Sequence, residues 1–294
     1  MSDSRYIPFN RPDIGEEEIG AVSEVLRSGW LTTGERTRRF EEDFRAYTGA
    51  RHALALSSGT AALHLPLVAL GIGRGDEVIT TPLTFCATVN CIVHAGATPV
   101  LADAGADGNI DPQSVAERIT PRTRAILPVH LAGSPCRMDA IWKLARQHGL
   151  AVIEDAAHAA GTLYGGDHLG HAAASQSDAV AYSFYATKNI TTAEGGMVTA
   201  NRTDLMTRMR VLALHGISKD AWNRYAENGS WFYQVMEAGF KYNLSDLQSA
   251  LGIEQLRKIE AFIEARRSRA ELYHAKLGGI EELELPRECP WGRH

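Results

Sequence analysis

A chain of 294 residues with 45% hydrophobic content is long enough to bury a large core in one or two domains. Its formal net charge of −5 gives no basic footprint for nucleic acid, so any phosphate recognition has to be local. Cys86, Cys91, Cys136 and Cys289 show no C-x-x-C spacing, which suggests neither a zinc site nor a disulfide framework and makes them reduced packing residues. The start, Met1-Ser-Asp-Ser-Arg5, is polar and no long uninterrupted apolar run follows, so a soluble, cytoplasmic chain without a membrane span is expected.

Helical periodicity covers Glu16 to Ser28 and Arg36 to Thr48. Leu54-Ala-Leu then reads as a strand entering the tight turn Ser57-Ser-Gly59-Thr60 and a helix from Ala61 to Leu70. Pro66 lies about two turns into that helix, where it removes one backbone hydrogen bond and is expected to kink the axis. Gly71-Ile-Gly-Arg-Gly75 looks like a dinucleotide fingerprint, but it follows a helix, precedes a strand and has Asp76 where a glycine is needed; it reads as a loop. Next come the strand Glu77-Val-Ile-Thr80, a helix from about Ala87 to His94, the strand Pro99 to Ala102, the helix Asp111 to Ile119 and the strand Ala125 to Val129. An amphipathic helix, Met138 to His148, stops at Gly149. Ala151-Val-Ile-Glu-Asp155 reads as a buried parallel strand that delivers a carboxylate to its C-terminal edge, and Ala179 to Phe184 as the next such strand, with Lys188 one turn beyond it. The alternation predicts a mostly parallel, doubly wound α/β sheet flanked by helices. Asp246 to Leu277 reads as one long helix whose apolar stripe, Leu247, Leu251, Ile253, Leu256, Ile259, Phe262 and Ile263, is expected to lie exposed as an association liability.

Three of these segments belong together chemically. The turn at Gly59 and Thr60 opens a helix whose free N–H groups and positive dipole end suit a phosphate. Asp155 offers a carboxylate that keeps a pyridine nitrogen protonated, and Lys188 an amine that condenses with an aldehyde once partial desolvation or nearby positive charge has lowered its pKa. Anion cradle, acid and lysine are the requirements of pyridoxal phosphate (PLP) chemistry. Phe85 can stack on the ring, His158 can contact the ring or its phenolic oxygen, and Ser183 completes the phosphate site. Singly each is commonplace, since lysines are mostly solvated and an Asp at a strand end usually forms a turn; their order and spacing carry the reading.

These stretches resemble the DegT/StrS family of PLP-dependent nucleotide-sugar aminotransferases, a branch of the fold-type I aminotransferases. The resemblance also runs through Pro8-Phe-Asn-Arg-Pro12, Ser28-Gly-Trp-Leu-Thr-Thr-Gly34, Glu154-Asp-Ala-Ala-His158, Ala193-Glu-Gly-Gly196 and Gly239 to Asp246, almost the whole chain. It implies Lys188 as the lysine bonded to the cofactor, Asp155 as the pyridinium partner, Phe85 as the stacking aromatic, and Gly59, Thr60 and Ser183 as phosphate binders. It further implies Asn243, or Lys241 beside it, as a residue reaching the phosphate of a partner subunit, hence a homodimer. His158, where many relatives have Gln, is similar to the branch that makes UDP-4-amino-4-deoxy-L-arabinose for lipid A. Glutamate is the implied donor and a UDP-linked 4-keto-sugar the implied acceptor. Two other readings compete: a sugar dehydratase, in which histidine replaces the lysine, and an inactive or regulatory cofactor-binding homologue. Residues 1–245 are expected to form the large PLP-binding domain, and 246–294 a connecting helix with the start of a truncated small C-terminal domain, which in relatives closes over the substrate.

Overall fold

The computed structural model describes residues 6–217, 234–286 and 289–294; the polar start at Met1 to Arg5 lies outside them. Among the described residues the strands are β1 (His52–Leu56), β2 (Glu77–Thr80), β3 (Thr98–Leu101), β4 (Thr123–Ile126), β5 (Ala151–Asp155), β6 (Leu163–Tyr164), β7 (Asp167–His168), β8 (Ala179–Ser183), β9 (Gly196–Ala200) and β10 (Gly292–Arg293). Seven of them form the central sheet in the order β1-β9-β8-β5-β4-β2-β3, and β10-β6-β7 form a small second sheet. In the large sheet β3, β2, β4, β5 and β8 run parallel, while β9 pairs antiparallel with both β8 and β1. The mostly parallel α/β sheet expected from the sequence is present.

Both faces of the sheet's centre are covered, which is why β5, β8 and β9 are buried along almost their whole length rather than alternating. Leu54 and Leu56 of β1 enter one core with Ala181 and Val198, while Ala53 and Ala55 point to the other face with Val180, Tyr182 and Met197. The helices α1 (Glu16–Ser28), α2 (Glu35–Thr48), α3 (Gly59–Ala69), α4 (Cys86–His94), α5 (Pro112–Arg118), α6 (Met138–His148) and α7 (Thr203–Leu212) flank it. α3 is apolar nearly all round and is buried from Ala61 to Leu67, in keeping with a helix sandwiched inside the protein. It continues through Pro66 to Ala69. The Gly71–Gly75 stretch is a loop, as its context predicts.

The C-terminal helix departs from expectation twice. It is two helices, α8 (Asp246–Arg257) and α9 (Ile259–Leu277), separated at Lys258. The reason is local: the Lys258 Nζ turns back to Glu18 Oε2 at 2.9 Å and Glu17 Oε2 at 3.2 Å on α1, while Ile259 drops into the core. Nor is the apolar stripe exposed. Ile253, Leu256, Ile259 and Ile263 are buried with Phe40, Phe44 and Tyr182, and Phe262 packs against them. The large apolar residues that α9 does expose are Leu272 and Tyr273.

All four cysteines are free, three buried and Cys86 exposed, so Cys86 is not the packing residue expected. Among the described residues no helix is long and apolar enough to cross a membrane, and no group of three or more His, Cys, Asp or Glu is placed to hold a metal ion.

Candidate active site

The parallel strands all end on one edge of the sheet, and this edge collects the chemistry expected in open α/β folds. β5 ends at Asp155, β8 ends at Ser183, β1 runs into α3, and β2 leads to Phe85 at the N-cap of α4. Ser58 caps α3, its Oγ accepting from the Ala61 amide at 3.0 Å, while the Ala62 amide bonds the Ser58 carbonyl at 3.1 Å. The amides of Gly59 and Thr60 therefore stand at the open, positive end of the helix. Glycine is required here for closeness: a Cβ at residue 59 would lie 2.7 Å from the Ser183 Cβ. Helix end and serine side chain thus approach each other closely, and the absent Cβ is what lets them.

Asp155 is buried and its carboxylate is held on both oxygens. Oδ1 accepts from the Ala157 amide at 3.1 Å, and Oδ2 accepts from the Thr88 hydroxyl at 2.8 Å. Sequence reasoning missed Thr88. A usable signal exists, because Thr88 follows Phe85 by three residues and so shares its face on α4.

Lys188 is half-buried, and its side chain makes no hydrogen bond or ion pair among the described residues. Desolvation lowers its pKa below the ordinary 10.5, against the pull of the nearby Asp155 charge. An amine in this state is the nucleophile that condensation with an aldehyde needs. His158, also half-buried, is held below its usual pKa first by burial and then by the positive charge of Lys188. Lys188, Asp155 and His158 therefore share one electrostatic neighbourhood. Phe85, at the N-cap of α4, is 74% exposed, and Thr60 is exposed at the helix end.

The lysine sits on a loop that returns to its own starting point. Ser183 of β8 pairs with Gly196 of β9, the Phe184 amide bonds the Gly195 carbonyl at 2.9 Å, and the Thr192 amide bonds the Phe184 carbonyl at 2.9 Å. Ala193 in this loop has φ of 67°, a left-handed conformation that costs a non-glycine residue about 1–2 kcal/mol. Asn243 lies elsewhere: its Nδ2 donates to Thr33 Oγ1 at 2.6 Å and its Oδ1 accepts from Lys241, neither partner being in the cradle of its own chain. Its backbone bridges Leu56 at the end of β1, so the Gly239 to Asp246 segment runs close beside the strand that leads into the cradle.

The model of the DegT/DnrJ/EryC1/StrS aminotransferase family matches residues 12–293. The spore coat polysaccharide biosynthesis protein SpsC of Bacillus subtilis is 50% identical over 292 residues, which is 99% of this chain and 74% of that protein. Among solved structures, S. venezuelae DesV superposes with a TM-score of 0.86 at 36% identity, covering 95% of this chain and 71% of that one. A Streptococcus pneumoniae protein in its PLP form superposes with a TM-score of 0.88 at 33% identity, covering 97% and 75%. The architecture is that of the fold-type I aminotransferases. With a mostly parallel sheet, a lysine loop closed between β8 and β9 and a carboxylate at the end of β5, the chain belongs to the DegT/DnrJ/EryC1/StrS aminotransferase family.

Proposed function

We propose that this chain is a PLP-dependent aminotransferase that moves the amino group of L-glutamate to a keto-sugar carried on a nucleotide diphosphate. The observation that carries the reading is the unpaired, desolvated Lys188 amine beside a carboxylate, Asp155, that is held on both oxygens. When bound, pyridoxal phosphate supplies an aldehyde that bonds to amines and a ring that withdraws electrons from the carbon being deprotonated. The Gly59 and Thr60 amides and the Ser183 hydroxyl would hold its phosphate. Asp155 would keep its ring nitrogen protonated, Phe85 would stack on the ring and His158 would contact the ring or its phenolic oxygen. Lys188 Nζ would be the group that takes the proton from the donor α-carbon as base and gives it back as acid. With the keto-sugar as acceptor, the same amine would move a proton in the opposite sense.

The finer reading is a UDP-linked 4-keto-sugar, supported by His158 as the form of the 4-amino-4-deoxy-L-arabinose branch. A sugar acceptor for polysaccharide synthesis is supported by the likeness to SpsC. In this reading the enzyme is a homodimer, with Asn243 or Lys241 of each chain serving the phosphate of the other. In this reading residues 1–245 form the cofactor domain, and 246–294 a connecting segment, packed on it through Ile253, Leu256, Ile259 and Ile263, with the start of a small domain.

Two measurements test this. Borohydride reduction of the cofactor-loaded protein followed by peptide mass spectrometry should label Lys188, and a label on another lysine would overturn the assignment. Mass spectrometry of products from a panel of nucleotide keto-sugars with glutamate should then reveal an amino sugar. Failure of every keto-sugar, with glutamate still bleaching the cofactor band, would leave the aminotransferase and sink the sugar acceptor.

A further inference from the structure

At the other end of β1 from Gly59 and Thr60, a cleft of about 330 Å³ lies between α2, the start of β1 and α7. Arg38, Arg45, Arg51 and Arg210 line it, facing two carboxylates, Glu41 and Glu42. Glu41 is already engaged: its Oε1 accepts from the Ala55 amide at 2.9 Å and its Oε2 from Arg210 Nη2 at 2.8 Å. Arg210 also donates to the Ala53 carbonyl at 2.6 Å, so its guanidinium is fixed as a floor. The other three guanidiniums have no ion pair or side-chain hydrogen bond among the described residues. Their neighbours on α2 behave differently, since Arg36 pairs with Glu24 at 3.0 Å and Arg39 with Asp43 at 2.9 Å. Unpaired arginines are thus confined to the cleft side of the helix.

His52 lies among them and reports the field. Burial first, then the charges of Arg210, Arg45 and Arg51, hold its pKa below the usual value. Its Nε2 shares a hydrogen bond of 2.9 Å with Thr203 Oγ1. A concentration of positive charge in a chain whose net charge is −5 is a local device. Guanidinium forks match the oxygens of phosphate groups with paired hydrogen bonds. The lining holds no Phe, Tyr or Trp to stack on a base or ring, and the volume sits at the lower end of small-molecule pockets, ~300 Å³. The cleft is at the opening of β1, and the phosphate cradle follows its end, roughly 16 Å away for five strand residues. The two sites are therefore separate.

We propose that this cleft is a second anion site, which takes a small diphosphate group against Arg38, Arg45 and Arg51 above the fixed Arg210. The assignment does not rest on the proposed reaction. The test is titration calorimetry of inorganic pyrophosphate into the cofactor-loaded protein, with sodium sulfate at matched ionic strength as the comparison. We expect saturable binding of one pyrophosphate per chain. The double variant Arg45→Gln/Arg51→Gln should weaken it at least tenfold while glutamate still bleaches the cofactor band at the wild-type rate, and Arg118→Gln should bind as the wild type does. Absence of saturable binding, equal binding of sulfate, or an affinity that the double variant leaves unchanged would each overturn the proposal.

Discussion

The Thr88 hydroxyl gives its proton to Asp155, so the 2.7 Å contact with Thr84 must have Thr84 as donor. Two threonines on α4 and its approach thus form a relay that ends on a buried carboxylate. Thr88→Val keeps the shape and removes the donor, leaving Asp155 short of one charge-assisted bond worth about 1.5–3 kcal/mol. We predict that it retains cofactor and slows the half-reaction with glutamate by roughly 10- to 100-fold, whereas Asp155→Asn slows it by several powers of ten because an amide cannot hold the ring proton. Stopped-flow absorbance checks both, and a near-normal rate in Asp155→Asn would refute its role. Lys188 makes a pH prediction. Its pKa in the folded chain is lowered by burial from the ordinary 10.5, so the reactive neutral amine is present at lower pH than in a free lysine. The rate of cofactor capture by the cofactor-free protein should rise with pH and level off below 10.5. The same sign governs stability: the unfolded chain binds the extra proton, so the penalty that burying this residue puts on folding is relieved as pH climbs through that window.

Among the elements, α8 bears on more of the site than its position suggests. Gln255 receives the Thr191 amide on Oε1 at 3.3 Å and donates through Nε2 to Asp13 and Glu18, and Gln248 donates to the Glu194 carbonyl at 2.7 Å. The loop after Lys188 is therefore anchored to α1 through α8. Burial works against the Glu18 carboxylate, but bonds from Lys258, Gln255 and the Gly15 amide outweigh it and hold its pKa at about 2. A carboxyl depressed from the ordinary 4.5 stabilises the fold above pH 4.5 and loses that contribution as pH falls towards 2. Lys258→Met should cut the unfolding free energy at pH 7 by about 1–3 kcal/mol and flatten its acid-side dependence; an unaltered urea profile between about pH 3 and 6 would contradict this clamp. The break at Lys258 that makes the clamp was not legible in the sequence, because the apolar spacing runs on without interruption and no Gly or Pro marks it. Boundaries set by local signals were legible: α1 and α6 lie where their periodicity and flanking Gly29 and Gly149 put them. The strand ends carrying Asp155 and Ser183 were legible because buried parallel strands are apolar runs. Thr88 was not, since a threonine near a helix start acquires meaning only from what the fold places opposite it. Strand β9 and α7 likewise follow from pairing across the sheet rather than from any motif.

At the scale of the whole molecule, one glycine sets how close the helical layer lies to the catalytic sheet. A Cβ at Gly252 would sit 2.7 Å from Phe40 Cζ and 2.8 Å from Thr192 Cγ2, so α8 rests against α2 and the lysine loop only because that atom is missing. Gly252→Val should destabilise the protein by about 1–3 kcal/mol through overpacking and lower cofactor occupancy at limiting PLP. Thermal unfolding with and without cofactor measures this, and a variant with unchanged midpoints would show that the layers have room to give. The large hydrophobic cluster around Phe40, Phe44 and Tyr182 lies across this same seam. Helix α8 and the start of α9 are thus part of this core in packing.

The closure of the lysine loop between Ser183 and Gly196 has a chemical consequence. With both ends of the loop fastened, the travel of the amine comes from the four-carbon arm and not from the backbone, so position 188 acts as a socket for any arm of equal length. Lys188→Cys should be inert; the variant must also carry Cys86→Ser, since Cys86 is the exposed thiol. Alkylation of the introduced thiol with 2-bromoethylamine rebuilds an arm with sulfur in place of one methylene. That semisynthetic residue should restore a measurable share of the glutamate half-reaction, with its pH profile moved to lower values by the less basic amine.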